Sequence, residues 1–193
     1  MNLPNKISIT RILLIPVIIF FFFANFIANG INYYITAGLF ALAAYTDALD
    51  GHIARKYNLV TTIGKFLDSI ADKLLATVTL ILVAFSGIFN PIVIAVILII
   101  TISRDLVIDM LRQIGASKNI IIAADWFGKI KAIVMDIALP FLLVACGLSV
   151  LHFNTLAYQI IFYTGFVLLI RATILSILSA INYLIKNRKV FKD

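Results

Sequence analysis

The stretch Asp47-Ala48-Leu49-Asp50-Gly51-His52-Ile53-Ala54-Arg55 is followed, eight residues later, by Gly64-Lys65-Phe66-Leu67-Asp68-Ser69-Ile70-Ala71-Asp72. It sets four carboxylates within 26 residues of a chain that is 63% hydrophobic and holds nine acidic residues in all. Asp47 and Asp50 are three apart and Asp68 and Asp72 four apart, so on helices each pair shares a face. Two helix ends can then aim four carboxylates at one point. Each such charge at membrane depth costs about 2.5 to 3.5 kcal/mol, and like charges repel, so a cationic partner is required. Two divalent cations would balance four carboxylates. The donors are all oxygen, with no Cys or His cluster, which favours Mg²⁺ or Mn²⁺ over Zn²⁺. Gly51 and Gly64 leave room for a ligand against the backbone. Arg55 offers a planar bidentate donor suited to phosphate oxygens. Metals, glycines and arginine together point to a diphosphate.

Outward from this stretch the chain is apolar. Its mean hydropathy is +1.09, too high for a soluble domain, and 193 residues suffice for six membrane helices of about 20 residues each. The expected fold is a single all-α, six-span transmembrane domain over residues 1–193. Span one is expected over Ile12–Ile27 and is read as retained, since Phe26 is too large for a signal-peptide cleavage site after Ala28. Asn29-Gly30 marks a turn, and span two runs from Ile31 into the acidic stretch. Thr61 or Thr62 is expected to cap span three, which reaches Phe85. Span four covers Ile92–Gln113, span five begins at Asp125 or Trp126 and ends near Cys146, and span six covers Leu156–Ile185. Loops are expected at 115–119 and 147–154. Phe20 to Phe23 are read as lipid-facing.

Lys and Arg occupy the amino terminus, the 2–3 and 4–5 connections and the tail, whereas 28–31, 86–91 and 147–155 contain none. The positive-inside rule therefore puts both termini and the acidic site on the cytoplasmic side of a cell membrane. The formal charge of +7 suits anionic lipid or an anionic substrate, and no basic patch interleaved with exposed aromatics suggests nucleic acid. Cys146 is the single cysteine and excludes an intrachain disulfide. His52 and His152 lack ligand-spaced partners. Arg104, Asp105, Asp109 and Arg112 gather on span four, with Lys129 and Lys131 at the start of span five. Arg104, Arg112, Lys129 and Lys131 form a second candidate site, a pocket for an acceptor's phosphate. Arg171, in the middle of span six, is expected to pair with Asp136 or another acid.

The pattern Asp-x2-Asp-Gly-x2-Ala-Arg-x8-Gly-x3-Asp-x3-Asp resembles the signature of the CDP-alcohol phosphatidyltransferases at every fixed position. The resemblance implies a metal site of Asp47, Asp50, Asp68 and Asp72, with Asp72 also as the base, and a CDP site lined by Asp50, Gly51, Ala54, Arg55 and Gly64. The Arg104-Asp105 and Gly128-Lys129-Ile130-Lys131 segments, with Asn2-Leu3-Pro4-Asn5, Ser8 and Arg11, resemble the branch of that family that makes phosphatidylglycerophosphate. Asp105 stands where Glu is usual there, Ser69 where Pro is common and Ala132 where Thr is common. The implied reaction passes a phosphatidyl group from CDP-diacylglycerol to glycerol 3-phosphate, with CMP released, in a homodimer that uses Mg²⁺ or Mn²⁺. The alternatives are a sister enzyme using serine, inositol phosphate or phosphatidylglycerol and, from another class, a metal ion transporter. No matching broken helices in two halves favour the transporter.

Overall fold

A computed structural model of the chain describes residues 3–24, 26–56, 61–118, 125–152 and 155–187; the side chains of 3, 4, 28, 48–56, 62, 65, 151 and 152 lie outside that description. Every element among the described residues is helical: α1 (Leu3–Phe22), a 3-10 turn (Ala28–Gly30), α2 (Ile31–Lys56), α3 (Thr62–Phe85), α4 (Pro91–Ser117), α5 (Trp126–His152) and α6 (Leu156–Lys186). Four of them, α1, α4, α5 and α6, are long and apolar enough to cross a membrane, whereas α2 and α3 carry the acidic stretch. The protein is membrane-embedded.

Local chemistry sets the boundaries. Thr61 caps α3 by accepting from Gly64 N at 3.0 Å, and Asn90 and Thr155 cap α4 and α6 in the same manner. Pro91 occupies the first turn of α4, where its missing N–H removes no helical bond. Asn29 and Gly30 both adopt positive φ in the turn before α2.

Three helices differ in extent from the sequence expectation. α1 begins at Leu3 rather than Ile12, and ends at Phe22 rather than Ile27, where Asn32 Nδ2 takes the Phe22 carbonyl at 2.9 Å. α4 continues through Gly115, which is buried in a helix rather than forming a loop. α5 continues past Gly147 to His152. Gly147 serves close approach instead of a turn, for a Cβ there would lie 2.7 Å from Cζ of Tyr34.

α5 is the hub, packing on α2, α3 and most extensively on α6. The α6 face it meets is a seam of Gly165, Leu169, Ala172, Thr173, Ser176 and Ser179. Small residues at this spacing let helix backbones approach where lipid gives no hydrophobic drive. Phe40, Leu80, Val83, Leu139, Leu142 and Leu143 fill the centre. Of the phenylalanines expected to face lipid, Phe20 and Phe23 are exposed, but Phe22 is buried edge-on against Tyr33. Phe89, Phe162 and Phe166 stack at one end of the bundle. The starts of α1, α3 and α5 and the ends of α2, α4 and α6 meet at the other. The charged groups of the site lie toward that end, whereas Arg171 sits midway along α6.

Candidate active site

The acidic half is assembled from three helices. Arg11 of α1 donates through one Nη to Asp47 of α2 and to Asp68 of α3, the latter at 3.3 Å. Its side chain is fully buried, while the two carboxylates are a third and nearly half exposed. An arginine inside an apolar helix needs an acid, and acids this close need a cation. The α1 and α3 starts are pinned by Asn5, whose Oδ1 accepts from Thr61 Oγ1 at 3.3 Å. A Cβ on Gly64 would come within 2.3 Å of that Oδ1, so the close packing of Asn5 favours glycine here. Asp72 lies one turn beyond Asp68, with no hydrogen bond or ion pair among the described residues. The backbones of Asp50, Gly51, Ala54 and Arg55 lie on α2, but their side chains are outside the described residues, as are those of His52 and His152.

The basic half comes from α4, α5 and α6. Arg104 donates to Asp105 at 2.7 Å and to Ser179 Oγ, and Lys131 donates to both Asp105 oxygens at 3.1 and 3.0 Å. Gly128 gives the guanidinium its room: a Cβ would sit 2.4 Å from Arg104 Nη2, and Arg104 would have to shift. Arg112 Nε donates to Tyr183 Oη at 3.0 Å, with the guanidinium 5.9 Å from the ring centroid. Lys73 of α3 pairs with Asp109 of α4. Asp105, Asp109 and Arg112, one stripe in the sequence, thus reach α5, α3 and α6 respectively.

Three cavities separate these groups. Arg104, Arg112, Lys129, Asp125 and Tyr183 line one of about 230 Å³. A smaller one of about 50 Å³ is bordered by Asp72, Lys73, Thr101, Asp105, Lys131 and Asp136. Between α3 and α4 a groove of about 380 Å³ has Phe66, Ile70, Leu106 and Met110 on its walls and Lys73 and Arg112 at its edge. Of the four cations expected to form one pocket, three line the first cavity and Lys131 lines the second.

Arg171 does not meet its expected acid. It is exposed midway along α6 and has no ion pair with Asp136, which faces the small cavity. Sequence reasoning placed Arg11 in the family pattern but missed its part in the site. The signal available was an arginine just inside an apolar span with no acid on its own helix. Among the described residues no group of three or more His, Cys, Asp or Glu is placed to hold a metal ion. Of the expected donors, Asp50's side chain lies outside the described residues, Asp47 and Asp68 meet on Arg11, and Asp72 is not brought to them as a third ligand. Two carboxylates from different helices converging on one positive group make a hard, oxygen-only donor set that suits a divalent cation.

Comparison with known proteins places the sequence in a family. Residues 1–183 match the sequence profile of the CDP-alcohol phosphatidyltransferases. A Rickettsia felis protein named CDP-diacylglycerol--glycerol-3-phosphate 3-phosphatidyltransferase is 35% identical over 170 residues, 88% of this chain and 90% of that one. Proteins of the same name from Bacillus subtilis and Haemophilus influenzae are also similar. The first is 41% identical over 152 residues, 74% of this chain and 76% of the relative. The second is 35% identical over 185 residues, 95% of this chain and 91% of the relative. The chain belongs to the CDP-alcohol phosphatidyltransferase family.

Proposed function

We propose that the chain transfers a phosphatidyl group from CDP-diacylglycerol to glycerol 3-phosphate, giving phosphatidylglycerophosphate and CMP. The observation that carries this reading is the meeting, at one end of the bundle, of the acidic Asp47–Asp68–Asp72 group and a cavity lined by Arg104, Arg112 and Lys129. A donor diphosphate and a phosphorylated acceptor need those two environments side by side. The names of the relatives agree.

In this reading Asp47, Asp50 and Asp68, with Asp72 beside them, would hold Mg²⁺ or Mn²⁺. A divalent ion bound there supplies positive charge for the diphosphate and for the departing CMP. Arg11 holds Asp47 and Asp68 together before any ligand arrives. Asp50, Gly51, Ala54, Arg55 and Gly64 form the CDP side. Asp72, facing the small cavity, accepts the proton of the acceptor hydroxyl. Arg104, Arg112, Lys129 and Lys131 supply positive charge for the acceptor's phosphate; Lys131 acts from the neighbouring cavity, through the salt bridge with Asp105 that the acceptor must share. The apolar groove between α3 and α4 gives acyl chains a route towards lipid.

All six helices span the membrane in this reading, with both termini and the site on the cytoplasmic side, because the turns at 28–31 and 86–91 carry no Lys or Arg. The family resemblance also implies a homodimer, and Arg171, exposed at mid-span, gives α6 one face that lipid alone suits poorly.

The deciding assay is CMP release by purified protein with CDP-diacylglycerol, Mg²⁺ or Mn²⁺, and each of glycerol 3-phosphate, serine, inositol phosphate and phosphatidylglycerol. Release with glycerol 3-phosphate alone is expected; release only with another acceptor would reassign the enzyme. Orientation is checked in a Cys146→Ser background. Leu156→Cys should react with an impermeant thiol reagent from outside the cell and Lys118→Cys should not.

A further inference from the structure

The small cavity between α3, α4 and α5 holds groups that phosphate binding and proton removal leave unused. Its Lys131 and Asp105 are engaged with each other, and Lys73 with Asp109. Asp72 and Asp136 remain, facing the space from α3 and α5 with no hydrogen bond or ion pair among the described residues. A second observation is independent of the acids. Thr101 of α4 also borders the cavity and is 5% exposed, and its Oγ1 is buried without a hydrogen-bond partner.

A threonine in a helix commonly returns its hydroxyl to the carbonyl four residues back. Thr36 does so on Asn32 at 2.8 Å and Thr173 on Leu169 at 2.9 Å. Thr101 makes no such bond. Thr79 and Ser176 hold buried unpartnered hydroxyls too, but neither borders this space. A buried hydroxyl beside a polar cavity is satisfied by whatever fills that cavity.

Size and position restrict the occupant. The cavity is about 50 Å³, against about 10 to 15 Å³ for one water measured in the same way. It takes a hydroxylated carbon or two and excludes a nucleobase or a six-membered polyol ring. Ala132 borders both this cavity and the one lined by Arg104, Arg112 and Lys129. A short molecule with its phosphate among those cations can therefore extend its hydroxyls past Ala132 towards Thr101 and Asp136.

We propose that Thr101 and Asp136 form a hydroxyl-recognition subsite that selects a short phosphorylated vicinal diol over a simple phosphorylated alcohol. Asp136 accepts a hydrogen bond from the hydroxyl that does not react. Thr101 Oγ1 donates to that hydroxyl's oxygen, and Asp72 faces the hydroxyl that does react. The proposal rests on the reading of glycerol 3-phosphate as acceptor and adds the residues that read its middle hydroxyl.

The test compares glycerol 3-phosphate with 3-hydroxypropyl phosphate, which keeps the phosphate and the primary hydroxyl but lacks the middle one. Sites built around a substrate hydroxyl reject the analogue without it strongly, so the wild-type enzyme should prefer glycerol 3-phosphate by about 100-fold or more in kcat/KM. Thr101→Val and Asp136→Leu should each cut that preference at least ten-fold, through loss of activity on glycerol 3-phosphate, while kcat/KM for the analogue changes less than about three-fold. Asp136→Asn, which keeps shape and an acceptor oxygen, should retain most of the preference if Asp136→Leu fails to fold. Equal use of the two acceptors by wild type, or variants that lose both in parallel, would overturn the subsite and leave the transferase reading standing. Parallel loss is also the result expected if the two carboxylates merely hold a cation or support the fold. No CMP release with glycerol 3-phosphate would overturn both readings.

Discussion

The acidic and basic halves of the site solve the same problem, charge inside an apolar bundle, in opposite ways. In the acidic half one fully buried cation, Arg11, is shared between two partly exposed carboxylates. In the basic half one carboxylate, Asp105, is shared between Arg104 and Lys131, both largely buried. Each half thus keeps a single counter-charge at its centre and leaves surplus charge of one sign facing a cavity. The surplus is negative at Asp72 and positive at Arg112 and Lys129. A donor whose diphosphate needs cations and an acceptor that is itself an anion fit that division. Each half can be broken separately.

The largest effect is expected at Asp72. Asp72→Asn keeps the shape of the cavity but removes the proton acceptor, and general-base groups contribute about 10²- to 10⁴-fold. Turnover should fall by at least that lower factor, while CDP-diacylglycerol still binds in a metal-dependent manner. Asp68→Asn should weaken metal binding as well. Near wild-type turnover in Asp72→Asn would remove it as the base.

Arg11→Gln tests the acidic half for stability rather than chemistry. Breaking a buried pair leaves an uncompensated charge and costs about 3 to 5 kcal/mol. The low end applies, because the two carboxylates keep partial access to water. Thermal melting in detergent should drop clearly for Arg11→Gln without divalent ions and recover in part with Mg²⁺, since the ion then supplies the missing charge. A loss of the same size with and without Mg²⁺ would show that Arg11 acts through packing alone.

The two halves also differ in how far they could be read in advance. The acidic half lies in one contiguous stretch, whose spacing reports which carboxylates share a helix face, so the meeting of Asp47 and Asp68 is the part legible without a fold. The basic half is spread over α4, α5 and α6. Its residues were visible as charges in apolar spans, but spacing along one helix says nothing about which neighbouring helix each side chain meets. Spacing therefore groups Lys131 with Arg104 and Arg112, whereas its ammonium and their guanidinium groups line different cavities. Thr101 and Tyr183 left no trace, being ordinary residues in apolar helices. Hydropathy accounts for α1, α4, α5 and α6, whereas α2 and α3 need the turn and cap signals around the acidic stretch; Gly147 shows the limit, because a glycine that admits a neighbour's side chain looks the same in sequence as one that bends the chain. Only the packing of Tyr34 on Gly147 separates the two cases.

Within the basic half, Arg112→Gln and Lys129→Gln should each raise the KM for glycerol 3-phosphate. A charge-assisted hydrogen bond contributes roughly 1.5 to 3 kcal/mol, so about ten-fold or more is expected. The KM for CDP-diacylglycerol should move much less, and an unchanged acceptor KM would remove that residue from the phosphate site.

The smallest and most discriminating change is Tyr183→Phe. Tyr183 is 2% exposed, and its hydroxyl accepts from Arg112 Nε while its ring lies near the guanidinium. Removing the hydroxyl keeps the ring and so isolates one hydrogen bond. Arg112 holds its charge in either case, but its fork is then free to rotate away from the cavity it shares with Lys129. A single hydrogen bond to a charged group contributes about 1.5 kcal/mol at the low end, and a guanidinium near the rim recovers part of that from water. The acceptor KM should therefore rise by about three- to ten-fold, less than in Arg112→Gln, with kcat nearly unchanged. The double variant Tyr183→Phe with Arg112→Gln should be no worse than Arg112→Gln alone, because the hydroxyl works only through the arginine. Additive losses in that cycle would place Tyr183 in contact with the acceptor itself.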